Sequence, residues 1–414
     1  MSTGRMSTGK KAALGLLAAA VLLAGAWGLG LRKAPGEAVA PLQREESIGF
    51  TMGTVARVVA EGPAAGAAVA AVMQELDRLT VLLDRFRPFG DVAALNGSGG
   101  EWVTVSAEVL ALLEEAVRLA ELSGGAFDPT VAPVVDLWGF VEEGTYPEEE
   151  AHEHHGHGDE ARPHGVPAGE PPGVLSGTGS GDAAESAAGG ESGQGPARSG
   201  TSPTRLIGYA PPDPGELAAA LARVDFRGLE IDAENSRARL ARPGQAIDLG
   251  AIAKGYGADR AVQLLKEHGV VRALVDLGGD VYALGTRPDG TPWRLGIRHP
   301  RRAGQILGIL HVSDAAVATS GDYERYFEYE GVRYSHIVDP RTGWPAMELA
   351  SVTVVAPHGV WADALSTAVF VLGKEEGLAL LESLPGVEGI LVDKDLNVLI
   401  TSGLEGKVDL LEGQ

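Results

Sequence analysis

The chain has 414 residues, 34 Lys+Arg against 56 Asp+Glu, a formal net charge of -22 and no Cys. The acidic balance excludes a nucleic-acid partner, whose phosphates it would repel. The missing Cys excludes disulfides, thiolate metal sites, a Cys nucleophile and a lipidated N-terminal Cys. The length allows two or three domains of about 100–200 residues, but 58 Gly and 24 Pro are too many for one compact enzyme.

Arg5, Lys10 and Lys11 precede an uncharged run over residues 12–31, 20 residues in all. At helical rise that is long enough to span a bilayer. Positive charge ahead of the run predicts a cytoplasmic N-terminus and an exported remainder. A cleaved signal peptide is the rival, with Ala38-Val39-Ala40 as its best site, but its apolar region would be unusually long. Residues 1–45 are therefore read as tail, membrane anchor and linker.

Residues 54–60 alternate and are β-branched, which predicts a strand. Residues 64–83 carry Val69, Val72, Met73, Leu76, Leu79 and Leu83 at helical spacing. Ser106 can cap a helix running to Leu122, with Gly124-Gly125 after it. Gly125-Ala126-Phe127-Asp128-Pro129-Thr130 is a tight turn whose aromatic either stacks on a ring or joins the core.

Residues 147–204 hold 13 Gly, 7 Pro and ten acids against two Arg, and so supply -8 of the net charge. So little apolar surface cannot offset ordering entropy, so this stretch is expected to be a disordered insertion. Its His152, His154, His155 and His157 are either metal ligands or part of a solvated polar tract. What remains, 46–146 and 205–414, is read as one catalytic domain.

In the second piece, helices are expected over 214–223, 255–268, 361–372 and 375–383. Strands are expected over 229–231, 238–240, 273–276, 293–298, 308–312, 332–337, 352–356, 389–392 and 398–401. Strands interrupted by helices without strict alternation give an α+β class with mixed or antiparallel sheets. Asp248 to Gly257 is a Gly-rich turn feeding a helix, suited to an anionic phosphate near Lys254 or simply a helix start. It fits neither the P-loop nor the dinucleotide fingerprint. Leu277-Gly278-Gly279-Asp280 allows close backbone approach to a ligand, or a bulge. Thr319 to Arg325 is read as a polar turn.

His336 is a candidate base or a satisfied structural His. Ser320, His336 and Asp339 could suggest a hydrolase triad, but there is no nucleophile elbow. Asp363 and Thr367, four apart, share one helix face and with a backbone carbonyl could hold a hard cation. The alternative is an Asp favoured by the helix dipole.

Met52-Gly53-Thr54, Gly125 to Thr130, Asp248 to Gly255, Leu277 to Asp280, Thr319 to Tyr323, Ser335 to Pro340 and Ala362 to Thr367 together resemble the signatures of the FAD:protein FMN transferase (ApbE-like) family, in order across both core pieces. The resemblance implies an ApbE-like fold and transfer of FMN from FAD, with Mg2+, to a Thr or Ser of an acceptor protein, releasing AMP. It implies metal contacts at the Ala251 carbonyl, Asp363 and Thr367. It implies flavin contacts at Met52, Ala126, Phe127, Asp128, Asp248, Lys254, Ile337 and Val338. It gives His336 a catalytic role, with Asp339 as its orienter. Phe86 stands where many members have a Tyr, and keeps the stacking ring without the hydroxyl. An Mg2+-dependent FAD pyrophosphatase and a non-catalytic FAD-binding protein are the alternatives. The anchor, with the family analogy, implies an enzyme held at the bacterial cytoplasmic membrane, its catalytic domain outside, serving an acceptor flavoprotein subunit of a membrane redox complex.

Overall fold

The computed structural model describes residues 42–140, 204–206 and 210–411. The expected anchor lies outside them, as does the expected insertion except for Thr204. Among the described residues no helix is long and apolar enough to cross a membrane.

The chain opens with a hairpin of β1 (Gln43–Thr51) and β2 (Thr54–Gly62), then α1 (Ala65–Leu83), α2 (Asp91–Asn96), β3 (Val103–Thr104), α3 (Ala107–Leu122) and α4 (Ala132–Trp138). After these come β4 (Thr204–Leu206), α5 (Pro214–Leu221), β5 (Leu229–Asp232), β6 (Arg237–Leu240), α6 (Ala253–Glu267), β7 (Arg272–Leu277) and β8 (Asp280–Leu284). Then follow β9 (Trp293–Arg298), β10 (Ile306–Val312), β11 (Ala315–Gly321), β12 (Arg325–Tyr329), β13 (Val332–Ser335), β14 (Leu349–Ala356), α7 (Gly359–Ser383), β15 (Glu388–Asp393), β16 (Val398–Ile400) and β17 (Val408–Leu410).

The main sheet has 8 strands in the order β1-β2-β7-β8-β11-β14-β15-β16, every neighbour antiparallel. Helices α1, α6 and α7 cover one face. The sheet β17-β10-β9 covers the other face only at its far end, where Ile297, Leu307 and Leu310 pack on Val317, Val355 and Ile390. The coverage explains the sequence patterns. Strand β2, covered on one side, alternates buried and exposed residues. Strand β14, covered on both, is buried at every position and reads as a continuous apolar run. Strand β4 pairs parallel to β12, so the class is α+β with one mixed sheet.

A separate aromatic core joins α4, α5, β12 and β13 through Trp138, Phe140, Phe327 and Tyr334. The Trp138 indole donates to the Gly343 carbonyl at 2.7 Å, which satisfies the polar atom that burying a tryptophan creates.

Expected elements and observed ones diverge in specific places. Residues 319–321 complete β11 rather than forming a turn, because a central strand covered on both faces tolerates the small, unpatterned sequence of Ala315–Gly321. Strand β1 was not expected: as the outer edge of the sheet it carries charged residues over Arg44–Glu46 that blunt further pairing. The two helices expected over 361–372 and 375–383 are the two halves of α7, divided at Gly373, whose φ of 82° breaks the helical path.

The positioning feature of the fold is the crossing of α6 and α7. A Cβ on Gly255 would lie 2.1 Å from the Gly359 carbonyl oxygen, and one on Gly359 2.2 Å from that of Gly255. Only glycine permits so close an approach of two helix backbones. Gly255→Ala should therefore cost about 3 kcal/mol or more in urea unfolding. Gly66→Ala, whose added Cβ meets only a flexible Glu45 side chain at 3.8 Å, should be neutral or stabilising by up to about 1 kcal/mol. Equal effects of the two would show that the crossing is not tight.

Candidate active site

The N-terminus of α6 is capped in one way that matters. Helix α6 starts at Ala253 after Ile252, so the Gly255 amide lies in the first turn and has no partner within the helix. It donates to Asp363 Oδ2 at 2.9 Å. The Ala251 carbonyl, just before the cap position, accepts no backbone amide among the described residues.

Asp363 is 3% exposed. Burial pushes its carboxyl up to about 6, opposed by the Lys254 ammonium and by the Gly255 amide and reinforced by Asp280. Lys254 Nζ lies 3.5 Å from Asp363 Oδ1 and is hydrogen-bonded to Asp280 Oδ2. Burial works against its charge, but the two carboxylates hold its pKa above the ordinary value. Asp280, also buried, accepts from the Thr319 amide through its other oxygen at 3.3 Å. One cation therefore balances two carboxylates, and the site carries an excess negative charge suited to a further cation.

Thr367 lies one turn beyond Asp363 on the same face of α7. Its hydroxyl is 3.2 Å from Ser320 Oγ, which lies 2.8 Å from Ser366 Oγ. No group of three or more His, Asp or Glu side chains among the described residues could hold a metal. Asp363 would need further oxygen ligands to hold a metal. The Thr367 hydroxyl and the Ala251 carbonyl are the candidates for them, and such an all-oxygen set would fit a hard cation such as Mg2+. Because Ser320 bonds to α7 hydroxyls and not to His336, the hydrolase triad is excluded.

His336 follows β13 and is half-buried. Its Nδ1 lies 3.3 Å from the Arg325 carbonyl oxygen, and its own amide donates to the same oxygen at 3.0 Å. Burial lowers the ring to about 4, helped by the charges of Arg325 and Lys254 and opposed by that carbonyl. The imidazole is thus neutral at physiological pH and open to accept a proton through Nε2. Asp339 does not orient it. Its carboxylate is taken by Arg341, which donates from Nε at 2.9 Å and Nη2 at 3.0 Å. A guanidinium two residues away is a nearer partner than a ring across the turn.

The flavin-side candidates fall into three kinds. Met52 forms the β1–β2 turn with φ 52°, a conformation that costs a non-glycine residue about 1–2 kcal/mol. It is held by the Thr80 hydroxyl, 2.8 Å from the Met52 amide, and packs against the core beside the crossing helices. Phe86 is 51% exposed, with the Arg85 guanidinium 4.3 Å from its ring centroid, so one face is covered and stacking is left to the other. Arg85 also reaches Asp248 at 3.0 Å and grips Asp136, which ties Phe86 to the Gly-rich turn. Asp248 further accepts from the Gly250 amide at 2.7 Å.

The remaining candidates are committed inside the protein. Asp128 accepts from Thr130 N and Oγ1, both at 2.7 Å, and from Phe226 N at 2.9 Å. Its carboxyl, raised by burial, ties together two chain segments. Ala126, Phe127 and Ile337 lie in the main core and Val338 in the aromatic one. Any contact these four make with a ligand must come chiefly from their backbone.

Two residues of the site were not singled out as functional from sequence, Asp280 as the partner of Lys254 and Arg85, and Ser320, weighed there as a triad member, is instead the partner of Thr367. Asp280 and Ser320 lay inside noted motifs, but their partners are distant in sequence. The lowered His336 pKa gives a direct check. In a ring-carbon NMR titration, assigned by loss of the signal in His336→Ala, His336 should protonate with a midpoint of about 4. A midpoint near the ordinary value of about 6.5 would contradict the burial.

A family model described as the ApbE family matches residues 52–158 and 198–391. The FAD:protein FMN transferase of Treponema pallidum is 35% identical over 389 residues, 88% of this chain and 89% of that protein. That of Vibrio cholerae is 31% identical, covering 83% and 86%. Among solved structures, the ApbE protein of Thermotoga maritima aligns with a TM-score of 0.69 at 29% identity, covering 88% of this chain and 99% of that one. The apo flavinyl transferase ApbE of Pseudomonas stutzeri aligns with a TM-score of 0.66, also at 29% identity, covering 88% and 97%. With these matches spanning both pieces of the core, the chain belongs to the ApbE family.

Proposed function

We propose that this protein transfers FMN from FAD to a Thr or Ser hydroxyl of an acceptor protein and releases AMP. The observation that carries the reading is the set of oxygens offered by Asp363, Thr367 and the Ala251 carbonyl near a charged Lys254. A group with a pyrophosphate and a divalent cation suits that combination, and the names of the relatives point to the same substrate. Mg2+ bound there would neutralise charge that builds on the phosphate oxygens as the bridging P–O bond breaks.

The chain's own groups have distinct tasks. Lys254, held between Asp280 and Asp363, presents a fixed positive charge to the pyrophosphate. The half-exposed face of Phe86 receives the flavin ring. His336, neutral and held by the Arg325 carbonyl, accepts the proton of the acceptor hydroxyl while that oxygen bonds to the FMN phosphorus. AMP leaves with the electrons of the broken P–O bond.

The setting is part of the proposal. The uncharged run over residues 12–31 would keep the enzyme at the bacterial cytoplasmic membrane with its catalytic domain outside. Its acceptor would be a flavoprotein subunit of a membrane redox complex. Protease added to intact cells should then remove the catalytic domain, and full protection would contradict that placement.

Incubated with FAD, Mg2+ and an acceptor domain, the protein should yield a fluorescent flavin–acceptor band on a denaturing gel together with equimolar AMP. AMP and free FMN without a labelled acceptor would instead indicate a pyrophosphatase, and neither product would leave a binder. His336→Ala should slow labelling by about 100-fold or more at saturating FAD. Asp363→Asn should do so by a similar factor, partly recovered by excess Mg2+. Full-rate labelling by His336→Ala would remove the base.

A further inference from the structure

Asp259 lies nearly two turns inside α6, and its two carboxylate oxygens accept from the first amides of α7, Gly359 N at 2.7 Å and Val360 N at 3.0 Å. Asp363 lies one turn inside α7 and accepts from Gly255 N of α6. Each helix therefore begins against the carboxylate four residues after the contact glycine of the other, with the Gly255–Gly359 contact between them. The sequence repeats accordingly, Lys254-Gly255-Tyr256-Gly257-Ala258-Asp259 against His358-Gly359-Val360-Trp361-Ala362-Asp363.

Neither helix is capped by its own flanking residue. Ile252 before α6 and His358 before α7 make no side-chain capping bond. The first amides of a helix need partners, and here each helix supplies one to the other. The two halves of the repeat differ in what else they meet. Asp363 faces Lys254 and the hydroxyls of the site. Asp259 touches none of them and bonds to α7 backbone alone, at the end that carries Asp363 and Thr367.

We propose that Asp259 is a positioning residue for the cation site. By gripping the first two amides of α7 it fixes the rotation and depth of that helix against α6, and hence where Asp363 and Thr367 stand relative to the Ala251 carbonyl. The inference rests on the reading that these three groups hold a divalent cation. A coordination set tolerates displacements of only about 0.5 Å, and losing an outer support typically weakens metal binding about 10–100-fold. A plain helix cap would give up stability and leave the affinity of the folded protein unchanged.

The test uses the full chain, with Mn2+ as the probe, followed by the electron paramagnetic resonance signal of the free ion. Thermal unfolding is run in parallel so that affinities are compared only where each protein is folded. Asp259→Ala should bind Mn2+ about tenfold more weakly, and Asp259→Asn, which keeps one acceptor oxygen, about threefold. The metal concentration giving half-maximal flavin transfer should rise by the same factors. A folded Asp259→Ala with unchanged Mn2+ affinity overturns the positioning role. If that variant does not fold, Asp259→Asn decides, and unchanged affinity there overturns it as well. An unaltered protein that binds no Mn2+ would sink the cation-site reading itself, a result distinct from either.

Discussion

The Gly255 amide, a first-turn donor with no partner inside its own helix, does two things by donating to Asp363. It anchors a carboxylate from α7 at the start of α6, and it brings Lys254 beside that carboxylate. None of this is open to a helix start carrying a side chain, because the Gly359 backbone occupies the space where a Cβ would be. The chemistry proposed for the site is built on that single hydrogen bond between the helices.

Charge at the crossing is balanced by pairing, as burial requires. Asp280 and Asp363 lie almost fully within the protein, and isolated carboxylates there would be costly. Lys254 offsets part of that cost, and backbone amides from Gly255 and Thr319 hold one oxygen of each acid. The remaining negative charge gives a metal ion a reason to bind and a phosphate a reason to arrive with one. The antiparallel sheet keeps these groups in register: Asp280 begins β8, Ser320 is the last residue but one of β11, and the two strands are hydrogen-bonded neighbours.

Much of this was legible in the sequence because it is local. Helical spacing of apolar residues marked α1, and the four-residue spacing of Asp363 and Thr367 placed them on one face. Glycines at 255 and 257 marked a special helix start. What was not legible depends on contacts far apart in the chain. The repeated Gly-x-x-Ala-Asp at 255–259 and 359–363 is visible once known, but nothing in either copy says that they meet. Strand β11 escaped notice because its residues are small and unpatterned and one of its faces is covered by α7, distant in sequence. Asp339 failed as an orienter for the opposite reason, since a local partner, Arg341, takes its carboxylate. The regions expected to be anchor and insertion lie outside the described residues.

The most direct test of the central claim is to locate a cation in crystals of the protein soaked with Mn2+ and FAD, using the anomalous signal of the metal. The account predicts one ion bound by Asp363, the Thr367 hydroxyl and the Ala251 carbonyl at about 2.0–2.4 Å, with the Gly255 amide still on Asp363. An ion bound elsewhere, or a Gly255 amide no longer on Asp363, would contradict it.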